Sequence, residues 1–348
     1  MQECKKNNIL IGKNLEELQN WTQINGETKF RGTQLFEWVY KRGVLDPKLM
    51  TNISDKFKIF LESECIFSTI KLEKLSTSNN NRTIKYLFKL KDNQFIETVS
   101  MIDGKFHTVC ISSQVGCNVD CKFCATASMG FIRNLTSGEI IEQLMYVRSN
   151  VNQKITNVVF MGMGEPFMNY DNVLKSADIF HDNLGFGLSA KRITISTAGI
   201  VPKIKKYVDE NRNYNLAVSL NAPTDEQREK IMPINMIWPL KDLIKISSEF
   251  SIGKRKNIMF EYVLLKGIND SQEDAINLMN LIKGINSKLN IIPYNETDGI
   301  YKRPKEQEID NFIKILLNNQ KKYGYRVLVR WSKGQDINAG CGQLVVNN

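Results

Sequence analysis

The sequence predicts an α/β fold: a partial (β/α) barrel preceded by a small, mainly helical N-terminal domain. From about residue 95, short β-rich runs alternate with helical runs, which is typical of a parallel sheet with right-handed crossovers. Residues with unusual chemistry fall where these strands end, the side of such a barrel on which active sites form. The same alternation also fits an open doubly wound sheet.

The N-terminal part has a different pattern. Apolar residues at helical spacing run through residues 15–21, 35–40 and 57–60. A polar turn at 78–81 then separates two alternating runs, which predicts a β-hairpin. We therefore predict an accessory domain over residues 1–92 and a second domain over 93–348.

The second domain is predicted to contain seven strands and at least five helices. The strands are expected at residues 107–112, 155–161, 192–197, 215–220, 258–264, 289–293 and 326–330. The helices are expected at residues 137–148, 172–181, 240–250, 274–285 and 309–319. Six or seven strand–helix units are enough for a full or partial barrel.

Composition limits the class of protein. The chain has 348 residues and no apolar run near the ~18 residues of a membrane span, and its first residues lack the apolar core of a secretion signal. We therefore expect a cytoplasmic protein. The net charge is +10, and the first 90 residues carry 15 Lys and Arg against 10 Asp and Glu. This charge fits a polyanion such as RNA, and it equally fits ordinary solvated lysines.

Cysteine spacing points to a metal site. There are seven cysteines, an odd and unevenly spaced set that argues against a disulfide framework. Cys117, Cys121 and Cys124 form a CxxxCxxC motif, and cysteine thiolates hold iron–sulfur clusters. Three ligands for four irons leave one iron open to another ligand. A structural zinc site is the alternative, but neither His107 nor His181 lies in a ligand-spaced motif.

The cysteine motif, with Phe123 before its last member, resembles the signature of the radical S-adenosylmethionine (SAM) superfamily. The stretch 160–166, Phe-Met-Gly-Met-Gly-Glu-Pro, resembles the GGEP-type motif of the same superfamily. The resemblance implies a 4Fe-4S cluster held by Cys117, Cys121 and Cys124. It also implies that SAM binds the open iron and is cleaved to a 5′-deoxyadenosyl radical, and that the barrel is of the radical-SAM type.

A narrower resemblance includes two cysteines outside the cluster motif, Cys110 and Cys341. From about residue 30 to the C-terminus, the chain is similar to the RlmN/Cfr family of RNA adenine methyltransferases. The stretches that carry the similarity are 30–34, 110–117, 123–126, 133–136, 232–235 and 336–344. The net positive charge of the first 90 residues favours an RNA contact by residues 1–92.

The reaction explains why such a chain needs lone cysteines. Carbon-2 of adenine is electron-poor and a weak nucleophile, whereas a thiolate is a strong one. The resemblance implies that Cys341 takes a methyl from one SAM and that a second SAM supplies the radical. It implies that Cys110 resolves the protein–RNA adduct and ends in a disulfide with Cys341. Glu97 matches the family's proton acceptor, and the sequence leaves open whether Glu97 or Cys110 takes the proton.

The resemblance also assigns SAM contacts and a reaction type. The contacts that it implies are Gly164, Glu165, Ser196, Ser219, Leu220, Asn221 and Asn295. Asn221 stands where the family commonly has His, and Lys333 stands where Arg is common. Val115 and Pro166 favour the RlmN type, which methylates carbon-2, over the Cfr type, which methylates carbon-8.

The implied partners are 23S rRNA, tRNA near the anticodon, and a reductant such as flavodoxin or ferredoxin. We expect a monomer with no membrane contact. Two other classes remain. A methylthiotransferase needs a second cluster from three more closely spaced cysteines, which the scattered remaining cysteines do not provide. A non-catalytic RNA-binding protein with a structural metal is the other class.

Overall fold

The computed structural model describes residues 8–252, 257–297 and 299–346. Its N-terminal part contains helices α1 (Leu15–Ile24), α2 (Lys29–Phe36) and α3 (Asp55–Glu64), and two short parallel strands, β1 (Asn8–Ile9) and β2 (Cys65–Ile66). The helix α1 begins with a reciprocal capping box between Asn14 and Glu17, as helix N-termini favour.

Three antiparallel strands connect this part to the main sheet: β3 (Ile70–Thr77), β4 (Thr83–Leu90) and β5 (Phe95–Asp103). The hairpin predicted around residues 78–81 is thus β3–β4. Residue 92, the predicted domain boundary, falls in the turn between β4 and β5, which pair with each other. The position of the boundary stays a prediction.

The rest of the chain alternates strands and helices. Its strands are β6 (Phe106–Cys110), β7 (Gln114–Gly116), β8 (Phe131–Asn134), β9 (Asn157–Phe160), β10 (Ile193–Thr197), β11 (Asn215–Ser219), β12 (Ile258–Leu264), β13 (Ser287–Pro293) and β14 (Tyr325–Val329). Its helices are α4 (Ser137–Asn150), α5 (Tyr170–His181), α6 (Val201–Asp209), α7 (Asp225–Ile231), α8 (Leu240–Ser251), α9 (Gln272–Leu281) and α10 (Glu306–Tyr323). All seven predicted strands and all five predicted helices are present.

One ten-stranded sheet has the order β14-β13-β12-β11-β10-β9-β6-β5-β4-β3. The seven strands from β14 to β6 are parallel, and β5, β4 and β3 continue the sheet antiparallel. Helices follow most of the parallel strands, because parallel neighbours need crossover connections. The predicted α/β class is confirmed.

The sheet curls until its two ends are joined by the segment that follows β14. The Lys333 Nζ lies 2.8 Å from an Asp103 carboxylate oxygen of β5. The backbone N–H of Asn79, in the hairpin turn, donates to Asp336 at 2.7 Å, and Lys85 of β4 donates to the Asn338 carbonyl at 3.3 Å. The sheet is therefore a partial barrel whose open side is bridged by residues 330–346.

A buried carboxylate fastens the N-terminal part to the barrel. Glu142 on α4 accepts hydrogen bonds from the backbone N–H groups of Thr69 and Ile70 and from the Thr69 hydroxyl, at 2.8 to 3.0 Å. Burial raises the pKa of Glu142 to about 7. None of the helices in the described ranges is long and apolar enough to span a membrane.

Candidate active site

The cysteine motif lies in a loop whose two ends are pinned together. Cys117 directly follows β7, which pairs with β8, and its N–H donates to the Gly130 carbonyl at 2.8 Å. Gly116 has φ +71°, and a Cβ there would lie 1.8 Å from the Gly130 oxygen. Because only glycine tolerates this approach, Gly116 fixes the start of the loop.

Cys117, Cys121 and Cys124 line one cavity at the carboxyl end of the parallel strands, which we call the upper cavity. Burial raises the pKa of Cys117 to about 12, and it also raises the pKa of Cys121 and of Cys124. Neighbouring thiols raise the pKa of Cys121 further. Thiolates in such a place need a nearby cation, which a bound iron cluster provides.

The geometry differs from that of a site for one metal ion. In the part of the chain that the structure describes, no three His, Cys, Asp or Glu side chains group closely enough to hold a single ion. A 4Fe-4S cluster spreads its thiolate ligands over separate irons. The donor set of three cysteines around one cavity therefore fits a cluster.

The predicted Gly164–Glu165 pair shapes the wall of the upper cavity. Gly164 has φ +96°, and a Cβ there would lie 2.5 Å from the Gln114 Cβ. The buried Glu165 carboxylate accepts hydrogen bonds from the Ala198 N–H at 2.7 Å and the Phe167 N–H at 2.9 Å. Burial raises the pKa of Glu165 to about 7. The carboxylate is thus held rigidly beside the cysteines.

Three further predicted SAM contacts line the same cavity: Ser196, Ser219 and Asn221. Asn221 has a left-handed backbone, φ +59°, and its side chain accepts from the Val263 N–H at 2.9 Å. Leu220 is fully buried, and its backbone N–H donates to the Glu261 carbonyl. The structure brings together five of the seven predicted contacts in the cavity wall.

Asn295, the seventh predicted contact, holds the C-terminal segment. Its side-chain amide donates to the Cys341 carbonyl at 3.1 Å and accepts from Gln335 at 2.9 Å. Gly340 packs against the same amide, since a Cβ there would lie 2.7 Å from the Asn295 nitrogen. The absence of a side chain at Gly340 lets the two segments meet.

A second cavity of about 760 Å³, the lower cavity, is lined by both lone cysteines, Cys110 and Cys341. Cys341 lines the upper cavity as well. Cys110 is the last residue of β6 and lies buried beside Val159 of β9. The sequence stretches around residues 110 and 341, far apart in the chain, therefore meet at the junction of two cavities.

Cys110 is buried and Cys341 is exposed, but the surrounding protein desolvates both thiols. Burial raises the pKa of Cys110 to about 12 and that of Cys341 to about 11. The positive charge of Arg330 lowers both pKa values in part. Arg330 follows β14 and lines the lower cavity. It is the cation that favours thiolate at either position.

Glu97, the predicted proton acceptor, contacts the C-terminal segment. One carboxylate oxygen lies 2.9 Å from the Lys85 Nζ, and the other accepts from the Val345 N–H at 3.1 Å. Burial raises the pKa of Glu97, and Lys85 opposes the shift. The buried Glu97 and the partly buried Lys85 thus form an ion pair that contacts the segment that carries Cys341.

Two residues that sequence reasoning missed also shape the site. Glu261 lines the upper cavity; its Oε2 accepts from Asn290 at 2.7 Å, and its buried Oε1 has no partner among the described residues. A charged residue inside the apolar strand β12 was the available signal. Arg228 is fully buried and donates to the carbonyls of Ser219, Leu220 and Ala198. Its position on the polar helix α7 gave no signal.

Comparison with known proteins agrees with this geometry. Residues 111–279 match the model of the radical SAM superfamily, and residues 8–66 match that of the ribosomal RNA large subunit methyltransferase N-terminal domain. A crystal structure of a radical SAM methyltransferase from Sphaerobacter thermophilus superposes with a TM-score of 0.91 at 37% identity. The superposition covers 97% of this chain and 99% of that one.

Curated relatives match over nearly the whole length. A dual-specificity RNA methyltransferase RlmN from Pelobacter propionicus is 43% identical over 331 residues, which are 95% of this chain and 93% of the relative. The RlmN of Geotalea uraniireducens is 42% identical, over 95% of this chain and 94% of the relative. Radical SAM membership implies SAM and a 4Fe-4S cluster as cofactors. The chain therefore belongs to the RlmN family of dual-specificity RNA methyltransferases, within the radical SAM superfamily.

Proposed function

We propose that the protein methylates carbon-2 of an adenine in 23S rRNA, and in tRNA next to the anticodon, and uses two SAM molecules per turnover. The observation that carries the proposal is the position of Cys341, which lines both cavities. The upper cavity has the residues for the cluster and SAM, and the lower cavity has the second thiol, Cys110. A methyl carrier has to reach both a methyl donor and an acceptor, and Cys341 borders a space for each.

The residues of the upper cavity fit the cofactors. Cys117, Cys121 and Cys124 would hold the cluster, and Gly164, which packs closely against Gln114, lines the same cavity. The unpartnered Glu261 oxygen is a buried acceptor that a hydroxyl or amino group of SAM can satisfy. When bound, cluster and SAM supply a 5′-deoxyadenosyl radical, and SAM also supplies the methyl group.

Cys341 first acts as a nucleophile and receives the methyl group on its sulfur, with Arg330 favouring the thiolate. After hydrogen abstraction, the carbon on the Cys341 sulfur bonds to adenine carbon-2, which joins protein and RNA. The adduct carries an unpaired electron, so the aromatic ring is restored when the adduct loses the carbon-2 proton and one electron, which the oxidised cluster would accept. Glu97 or Cys110 takes this proton. The Cys110 thiolate then attacks the Cys341 sulfur, which forms the disulfide and breaks the bond between that sulfur and the methylene carbon. The released carbon takes up a proton, so the RNA leaves with a methyl group.

The excess of 15 Lys and Arg over 10 Asp and Glu in residues 1–90 suits contact of the N-terminal residues 1–92 with RNA phosphates. A flavodoxin or ferredoxin would supply the electron for each cleavage. We propose that the protein acts as a monomer in the cytoplasm.

Mass spectrometry of RNA tests the proposal. Anaerobically reconstituted protein, SAM, a chemical reductant and an RNA hairpin with a loop adenosine should yield 2-methyladenosine. Cys341→Ala should yield none, whereas the matched control Cys65→Ala, a buried cysteine of the N-terminal part, should retain product. Production of 8-methyladenosine would assign the carbon-8 reaction instead, and unmodified RNA would contradict the proposal.

A further inference from the structure

The mouth of the lower cavity carries two exposed aromatic side chains. Phe106, the first residue of β6, is 39% exposed, and Trp331, two residues after β14, is 46% exposed. Both line the lower cavity together with Cys110 and Cys341. Single exposed aromatics are common on protein surfaces, but two at the entrance of one cavity that reaches the reactive thiols require an explanation.

A positively charged side chain lies close to each of the two aromatic rings. The Arg192 guanidinium lies 5.5 Å from the centroid of the Phe106 ring, and the Lys105 Nζ lies 5.6 Å from it. The Arg303 guanidinium lies 5.7 Å from the centroid of the Trp331 ring. An aromatic ring beside a guanidinium offers a face for a base and a charge for a phosphate at the same place.

The charge of the cavity lining is strongly one-sided. Its basic residues are Lys191, Arg192, Arg330 and Lys333, and its acidic residue, Asp103, is paired with Lys333 at 2.8 Å. Lys191 and Arg192 are exposed. The mouth therefore favours an anionic ligand that also has flat apolar faces, and single-stranded RNA is such a ligand.

We propose that Phe106 and Trp331 form a stacking platform for an unpaired nucleotide adjacent to the target adenosine, with Lys191 and Arg192 holding its phosphate. The inference rests on the proposed function, because it takes RNA as the substrate. Unstacked bases in RNA loops are bound by aromatic side chains and Arg planes. The platform would hold the flanking nucleotide while the target base reaches toward Cys110 and Cys341, and it would select RNA with an unpaired neighbour.

The first test measures RNA binding by fluorescence anisotropy, with reconstituted protein and no reductant. The probe is a labelled RNA hairpin with the target adenosine in its loop. Phe106→Leu keeps an apolar side chain but removes the ring, and it should weaken binding about tenfold, as should Trp331→Ala. Phe106→Tyr should bind as the wild type does.

Tyr323 on α10 provides a matched control. Its ring lies 5.6 Å from the Lys322 Nζ and 6.0 Å from the Lys283 Nζ, so it has the same chemistry in the outer helical layer. Tyr323→Ala should change the RNA Kd less than twofold. If Phe106→Leu and Trp331→Ala bind RNA as Tyr323→Ala does, the platform is overturned.

A second test removes the base rather than the ring. Two hairpins, one with an abasic site on the 5′ side of the target adenosine and one with it on the 3′ side, are compared with the intact hairpin. The hairpin that lacks the stacked base should bind the wild-type protein about tenfold more weakly than the intact hairpin, and the other should not. Phe106→Leu should then cause little further loss with the hairpin that lacks the stacked base, because both changes remove one contact. Additive losses would contradict stacking. If the wild-type protein methylates RNA but both tests contradict stacking, the platform alone is rejected. If the wild-type protein neither binds nor methylates RNA, the proposed function is rejected as well.

Discussion

The side-chain amide of Asn295 donates a hydrogen bond to the backbone carbonyl of Cys341 at 3.1 Å. Asn295 follows β13, so a strand of the barrel positions the segment that carries Cys341, the thiol that we propose accepts the methyl group. The Lys85–Glu97 pair holds the same segment from the opposite end of the sheet, through Asn338 and Val345.

Removal of the Asn295 amide should therefore impair methyl transfer to Cys341. Asn295→Ala removes the hydrogen bond to the Cys341 carbonyl, so the segment that carries Cys341 is free to shift. A small displacement of a nucleophile can slow a reaction about 10- to 100-fold. Intact-protein mass spectrometry with SAM gives the rate of methyl incorporation. Asn319→Ala is the matched control, since Asn319 donates to the Ile315 carbonyl at 2.8 Å on the outer helix α10. Equal rates in the two variants would show that Asn295 does not position Cys341.

Each cysteine of the CxxxCxxC motif should be needed to bind iron. Each single substitution removes one of three ligands: Cys117→Ala, Cys121→Ala or Cys124→Ala. The reconstituted wild-type protein should hold about four irons and absorb at about 400 nm, and each variant should lose most of this iron and absorbance. Cys65→Ala, which removes a buried thiol elsewhere, should keep the full iron content. Stoichiometric zinc and no iron in anaerobic wild-type protein would favour a structural metal site.

Glu142 should make stability depend on pH. Burial raises its pKa to about 7 in the folded protein, from an ordinary 4.5. The folded protein therefore binds this proton more tightly than the unfolded chain. The contribution to stability is fully present below about pH 4.5 and is lost as the pH rises through 7, by at most about 3 kcal/mol.

Thermal unfolding of Glu142→Gln checks this dependence. The difference in Tm, wild type minus variant, should decrease between about pH 5 and 8, because glutamine does not titrate. The exposed Glu16→Gln serves as control and should follow the wild-type curve. A constant difference for Glu142→Gln would show that the buried carboxylate does not titrate in this range.

Lys85 should set the acidic limb of the pH–rate profile if Glu97 accepts the proton. Burial raises the pKa of Glu97 and the Lys85 charge lowers it, so Lys85→Met should raise that pKa further. A base has to be ionised, and single-turnover methylation should therefore begin to fail at a higher pH than in the wild type. Lys89→Met, on the same strand, should leave the limb in place. An unmoved limb in Lys85→Met would assign the proton to another group, such as Cys110.

Much of the fold could be predicted because the signals were local. Apolar runs with flanking helices marked all seven parallel strands, and the cysteine spacing marked the cluster loop. The prediction omitted the nine-residue strand β5, the short helices α6 and α7, and the strands β7 and β8, which are three and four residues long. α7, β7 and β8 form because the barrel positions them, and their own sequences carry little periodicity. In α6, Val201, Ile204 and Val208 do stand at helical spacing, and the prediction overlooked this signal.

The residues of the site that belong to a sequence motif could be predicted. The proximity of Cys110 and Cys341 came from the resemblance, and no spacing in the sequence indicates it. Glu261, Arg330 and the exposed rings of Phe106 and Trp331 are isolated in the sequence. They meet only because the sheet curls and the C-terminal segment returns across its open side.

The fate of RNA in Cys110→Ala tests the central claim most directly. The substitution should leave iron binding, methylation of Cys341 and radical addition in place, since these steps precede resolution. We predict that labelled RNA then migrates with the protein on a denaturing gel, as a crosslink through Cys341 that is lost in Cys110→Ala/Cys341→Ala. Release of 2-methyladenosine by Cys110→Ala at the wild-type rate, with no crosslink, would contradict the two-cysteine account.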